Sequence, residues 1–233
     1  MKWIIPVVLS AMLLDAADMQ KMQFTGVEAK AFDPFGEEVS VTIRREVPRE
    51  CFHLELDPDV VFGEKFAAKG VPPQCKVSHV STLGQLYPMK AAEGVETVGE
   101  LEVMAFIKGS TLMPGSRLLV DSRGSRWFER ITIPSSVNIP FIYIKEPQQF
   151  KEEFSSALET MGVKGAEKGY DFSHAKTLLI FCNGPWCSSS PEMIKALLNL
   201  GYPAEKILWY RGGLHDWTGL GMTVQLKHGA ENF

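Results

Sequence analysis

The sequence predicts an α/β protein: a parallel sheet flanked by helices, with a small β-rich N-terminal module ahead of it. Three observations carry this. In the second half of the chain, short unbroken apolar runs (Leu118-Leu119-Val120, Leu178 to Phe181 and Ile207 to Tyr210) alternate with helical stretches. Strands without polar alternation are those buried on both faces of a parallel sheet. The first third shows period-two alternation interrupted by Pro and Gly instead, the pattern of short antiparallel strands. Finally, 233 residues with 45% hydrophobic and 22% charged composition can bury a core and suit one or two folded domains.

The chain opens with one basic residue, Lys2, followed by a mostly apolar run from Trp3 to Leu14. That is the length of a signal peptide and short for a bilayer span. Residues 1–17 are therefore expected to be an export signal, with Asp15-Ala16-Ala17 as candidate cleavage point, and the protein is expected in the periplasm. A membrane contact enters only if the segment stays uncleaved as an anchor. Export makes a disulfide between Cys51 and Cys75 reasonable; closing that loop stabilises by roughly 3 kcal/mol on the chain-entropy model. The alternative is two independent buried thiols.

Residues 18–95 form the expected β-rich module, of unassigned role. Glu38 to Ile43 and Cys51 to Leu56 alternate as strands, and the chain is irregular from Lys76 to Gly94. A second domain is expected over 96–228. It begins with a helix from Glu100 to Ile107 ending near Gly109. Arg117 to Val120 follows as a buried strand, Ser136 to Ile139 as a short strand, and Phe150 to Met161 as a helix. Lys176 to Phe181 is the next strand, Pro191 to Leu200 a helix, and Ile207 to Tyr210 the last strand, before Gly212-Gly213. In such sheets the sites lie at the carboxyl ends of strands, which is where Cys182 falls.

A net charge of -4 with no Lys/Arg cluster argues against nucleic acid or an anionic membrane surface as a partner. His53, His79, His174, His215 and His228 show no ligand spacing with cysteine or carboxylates, so neither a metal nor haem is expected. The chemistry concentrates in Cys182-Asn183-Gly184-Pro185-Trp186-Cys187-Ser188, a cysteine delivered by an apolar strand into a tight turn before a helical pattern. Free N–H groups and the positive end of a helix dipole favour the thiolate there, and the thiolate is the nucleophile. Asn183, Gly184, Trp186 and Cys187 are expected to turn N–H donors toward the sulfur, while Pro185 has none and stiffens the turn.

Three ordered motifs resemble the rhodanese (sulfurtransferase) family across roughly residues 96–228. Asp121-Ser122-Arg123 through Trp127-Phe128, Ile133-Pro134 and Val137-Asn138-Ile139-Pro140 is similar to that family's Asp-x-Arg segment leading into Ile-Pro-Gly-Ala-x-Asn-Ile-Pro. The strand, cysteine loop and helix around Cys182 form the second. Gly201-Tyr202, Tyr210-Arg211-Gly212-Gly213 and Trp217 to Gly221 resemble its closing Gly-Gly-x-x-x-Trp signature. The chain departs from the pattern at Ile131-Thr132, where Gly-His is common, at Ser135-Ser136, where Gly-Ala is common, and at Thr223, which replaces the usual final proline. It departs again at Cys187, where many members carry Arg or Lys.

The resemblance implies that Cys182 takes a sulfane sulfur as a persulfide and yields it to a thiol or other nucleophile, with donor and acceptor as partners and with no metal or organic cofactor needed. It also implies that Asp121 and Arg123 tie strand ends together. The loop from Cys182 to Cys187 is short, and Ser188 stands where phosphatase relatives place an arginine, so phosphatase activity is not expected. The first Lys or Arg after Cys182 is Lys195, which makes the dianion thiosulfate a poor expected donor. Arg126, Arg130 and Arg211 are candidates for substrate charge from neighbouring loops, each with an alternative role as a salt-bridge partner. Cys187 is a candidate resolving cysteine, so a thiol–disulfide redox protein using Cys182 and Cys187 is an alternative. A non-catalytic rhodanese-type binding module is another. His215-Asp216 has two readings, a pocket residue and a helix cap before Trp217; Trp209, Tyr210 and Trp217 are expected in the core.

Overall fold

The structure is a computed structural model that describes residues 25–44, 46, 87–166 and 169–226. The expected signal segment, the Cys51–Cys75 pair, the Cys51–Leu56 strand, His53, His79 and His228 lie outside the described residues. In chain order the elements are β1 (Val27–Phe32), β2 (Glu38–Ile43), β3 (Glu96–Val98), α1 (Glu100–Leu112), β4 (Arg117–Asp121), α2 (Ser125–Arg130), β5 (Ile131–Thr132) and β6 (Ser136–Asn138). There follow α3 (Phe141–Lys145), α4 (Lys151–Thr160), β7 (Lys164–Ala166), β8 (Gly169–Asp171), β9 (Thr177–Phe181), α5 (Ser189–Leu200), β10 (Ile207–Tyr210), α6 (Gly213–Gly219) and β11 (Gln225–Leu226).

The main sheet has the order β3-β10-β9-β4-β6, and every pairing in it is parallel. β9 is central, and its sequence Thr177-Leu178-Leu179-Ile180-Phe181 shows why the run is unbroken. Leu178 and Ile180 point into one core with Val120, Ile207 and Trp209, against α4 and α5. Leu179 and Phe181 point into the other with Leu119, Leu208 and Tyr210, against α1 and α6. Each fully buried Leu, Ile or Phe contributes roughly 1.5–3 kcal/mol, so both faces specify the strand and neither tolerates a polar residue. The result is the predicted parallel sheet between helical layers.

The β-rich N-terminal part is present as an antiparallel hairpin of β1 and β2, Val27 opposite Ile43. Asp33 shapes its turn, its Oδ1 accepting from the Phe35 and Glu37 amides at 2.9 and 2.8 Å. Ala29 and Ile43 join the core on the α1 side. Polar contacts reinforce this: Lys30 N–H donates to Ser135 Oγ at 3.0 Å and the Ser135 hydroxyl to Lys30 O at 2.9 Å. Arg44 and Thr223 exchange two further bonds of 2.8 Å.

Helix α1 does not stop near Gly109, as its glycine suggests, but runs to Leu112. A Cβ at Gly109 would lie 2.3 Å from Arg117 Nη1. The bare backbone there lets Arg117 lie across the helix, with its guanidinium 5.6 Å from the centre of the Phe106 ring. A mid-helix glycine costs about 1 kcal/mol against alanine, and burial of Val103, Met104, Phe106 and Ile107 exceeds that.

Candidate active site

β9 ends at Phe181, so Cys182 leaves the central strand at its carboxyl end, and the loop closes onto the first turn of α5. Its flanks are held from three directions. From β4, the Ser122 amide and hydroxyl both donate to Phe181 O, at 3.0 and 2.7 Å. Arg123 donates from Nη1 to Asn183 Oδ1 at 3.0 Å and is itself fixed by Asp121, Nη2 to Oδ2 2.7 Å. Both partners of that ion pair are buried, and Thr132 Oγ1 adds a 2.8 Å bond to the same carboxylate. From α6, the Leu214 and His215 amides donate to Cys182 O and Asn183 O at 3.0 and 2.8 Å. These are first-turn N–H groups with no partner inside their own helix. From the segment before β3, Tyr87 N–H donates to Pro185 O at 2.9 Å.

Gly213 makes the α6 contact feasible. Its φ is 58°, and a Cβ there would lie 2.3 Å from Cys182 O and 2.9 Å from Gly184 N. Any side chain would lever the cysteine loop off the helix. Over the loop, the Trp186 ring stands edge-on to His215 with centroids 4.7 Å apart, and His215 Nδ1 pairs with Asp216 Oδ1 at 2.8 Å. His215 thus meets the loop through Trp186. Trp209, Tyr210 and Trp217 are core residues.

Two free thiols share the loop. Cys182 is 2% exposed, whereas Cys187 is partly exposed. Cys182 Sγ lies 3.4 Å from Cys187 O and 3.0 Å from Ser190 Oγ. The Ser190 hydroxyl accepts from Trp209 Nε1 at 2.9 Å, which leaves its own proton free for the sulfur. The electrostatics separates the pair. Burial pushes the Cys182 thiol well above its ordinary range, and the hydrogen bond it gives to Cys187 adds to this. The same bond, with the amides of Asn183 and Ser189, lowers Cys187 to about 6. The sequence expectation of a Cys182 thiolate needs this adjustment: dipole and amides are present, but desolvation outweighs them at the buried sulfur. Cys187 N–H does not face a sulfur either, because it closes a turn onto Gly184 O at 2.9 Å.

The arginines divide. Arg211 donates from Nε and Nη2 to Tyr87 O at 3.0 and 2.8 Å and so clasps the segment that holds Pro185. Arg126 and Arg130 are exposed on α2, beside exposed Trp127. A cleft of about 550 Å³ lined by Val137, Asn138, Tyr143, Glu152 and Thr160 contains no residue of the loop. Sequence reasoning stopped the site at Ser188 and missed Ser190, whose signal was only its place in the first helical turn. It also missed Tyr87, in a stretch without a pattern.

With this geometry in view, residues 107–220 match the model of the rhodanese-like domain. Among solved structures, a Bacillus halodurans protein is similar at 18% identity, over 59% of this chain and 83% of its own, with a TM-score of 0.41. The thiosulfate sulfurtransferase from Pseudomonas aeruginosa is 17% identical over 59% of this chain and 22% of its own, TM-score 0.38. A rhodanese with anions from E. coli is 20% identical over 43% of this chain and 89% of its own, TM-score 0.28. No curated protein matches the sequence.

Proposed function

We propose that this protein is a sulfurtransferase or persulfide carrier in which Cys182 accepts a sulfane sulfur and passes it to a thiol or other nucleophile. The observation that supports this best is the position of Cys182: at the carboxyl end of the central strand, with its sulfur against the Ser190 hydroxyl in the first turn of α5. A persulfide there keeps the hydroxyl and the adjoining amide as donors, and persulfides ionise more readily than thiols. The absence of Lys or Arg between Cys182 and Lys195, with Arg123 and Arg211 already engaged, favours a donor of low charge such as a polysulfide over thiosulfate. Export to the periplasm is part of the reading.

A second reading, a thiol–disulfide redox protein, draws on the two free thiols of one loop, with Cys182 Sγ 3.4 Å from Cys187 O. Peptide mass after exposure to inorganic polysulfide separates the two. One sulfur atom gained on Cys182, reversed by a thiol, is the expected result. Loss of two hydrogens across the cysteines with no sulfur gained supports the redox reading. No change at either cysteine overturns both and leaves a binding module.

A further inference from the structure

The two thiols differ in the property that decides which one meets a substrate first. Cys182 Sγ is walled in by the Cys187 carbonyl and by Ser190, itself fully buried and tied to Trp209. Cys187 is partly exposed, and its sulfur lies 3.6 Å from Ser189 Oγ. A solvent-borne electrophile therefore reaches a stabilised thiolate at Cys187 before it reaches a protonated, enclosed thiol at Cys182.

We propose that Cys187 is the receiving thiol of a two-cysteine relay: it takes the sulfane sulfur from an incoming polysulfide or organic persulfide and hands it to Cys182, which stores it inside the loop. The inference rests on the persulfide-carrier reading and assigns the route into it. In the first step the Cys187 thiolate attacks the sulfane sulfur of R–S–SH. A sulfur–sulfur bond forms on Cys187, the donor's sulfur–sulfur bond breaks, and RS⁻ leaves. In the second step the Cys182 proton goes to RS⁻, and the resulting thiolate attacks the outer sulfur of the Cys187 persulfide. Cys182 becomes the persulfide and Cys187 returns as thiolate. The sum is Cys182–SH plus R–S–SH giving Cys182–S–SH plus RSH, so no external oxidant or reductant is consumed. Cys182 Sγ already lies 3.4 Å from the carbonyl oxygen of Cys187, so the two cysteines face each other within one loop for the hand-off. An acceptor thiolate empties the relay by the reverse route, through Cys187.

The test is stopped-flow exposure of the full chain to sodium polysulfide, with fragment-ion mass locating the added sulfur over time. Wild type is expected to show sulfur on Cys187 early and on Cys182 late. Cys182→Ser is expected to load and hold one sulfur on Cys187 at near the wild-type rate. Cys187→Ala and Cys187→Ser are expected to load Cys182 at least tenfold more slowly, with the same final occupancy. Loading of Cys182 at the wild-type rate in both Cys187 variants would overturn the relay while leaving Cys182 as carrier. No sulfur on Cys182 in any form would overturn the carrier reading and the relay with it. Sulfur that stays on Cys187 in wild type would overturn the hand-off.

Discussion

The turn entering β6 at Ser135 and the loop leaving β9 at Cys182 sit at opposite ends of the same parallel sheet, and both carry residues unlike the family pattern. At the amino end, Ser135 occupies φ 70°, a conformation that costs a non-glycine residue roughly 1–2 kcal/mol. Its hydroxyl uses both hydrogen-bonding capacities on Lys30 of the hairpin. The departure is thus absorbed by structure: a serine replaces a glycine because another strand docks on it. At the carboxyl end, Cys187 stands where a cation is common, and its sulfur joins no disulfide among the described residues. Polar groups are tied up where the fold is assembled and left available where chemistry is expected.

The largest effect follows from breaking the ties that hold the carboxyl end. Replacing Arg123 by Met leaves Asp121 fully buried without its cation and frees Asn183. Stranding one member of a buried pair costs about 3–5 kcal/mol, a large share of a domain's stability. Urea unfolding of Arg123→Met should show that loss. A cost under about 1 kcal/mol would mean that the loop is not anchored through Arg123.

How much of this was legible beforehand differs between the two ends. Leu178 to Phe181 and Ile207 to Tyr210 announce central strands because burial on both faces leaves no room for polar alternation, and the cysteine loop is continuous in sequence. Ser190 was invisible, since a serine in the first turn of a helix is ordinary and only the fold brings Trp209 Nε1 and Cys182 Sγ to it. Gly109 misled for a similar reason: it looked like a helix terminus, but the space it leaves is filled by Arg117, which is close only in three dimensions. The state of the thiols was inferred from dipole and amides alone. Desolvation, which reverses the sign at Cys182, depends on walls that sequence does not display.

A pH series sharpens the contrast between the thiols themselves. Cys187 is depressed to about 6, below the unfolded cysteine value of about 8.5. Its contribution is therefore present above the unfolded value and lost as pH falls through about 6. Cys182 is raised, so its contribution is full below about 8.5 and declines as pH rises beyond the unfolded value. Unfolding free energy should thus climb from pH 6 to about 8.5 and then fall. In Cys187→Ala the climb should flatten, a difference on the order of 1–2 kcal/mol. An unchanged climb would assign the pH dependence to other groups.

The smallest effect probes the amino end. Ser135→Gly relieves the backbone strain and removes the two bonds to Lys30, terms of about 1 kcal/mol each in opposite directions, so global stability should move by less than about 0.5 kcal/mol. Ser135→Ala keeps the strained φ and loses the same bonds, and should cost about 1–2 kcal/mol. Hydrogen exchange separates local from global effects: the Lys30 amide, whose partner is Ser135 Oγ, should exchange faster in both variants, while β9 amides should slow or quicken only with global stability. If Ser135→Gly instead cost as much as Ser135→Ala, the positive φ would carry no strain to relieve. The serine would then have to be explained by its two bonds alone, and the contrast between a structural departure at one end of the sheet and a chemical one at the other would rest on Cys187.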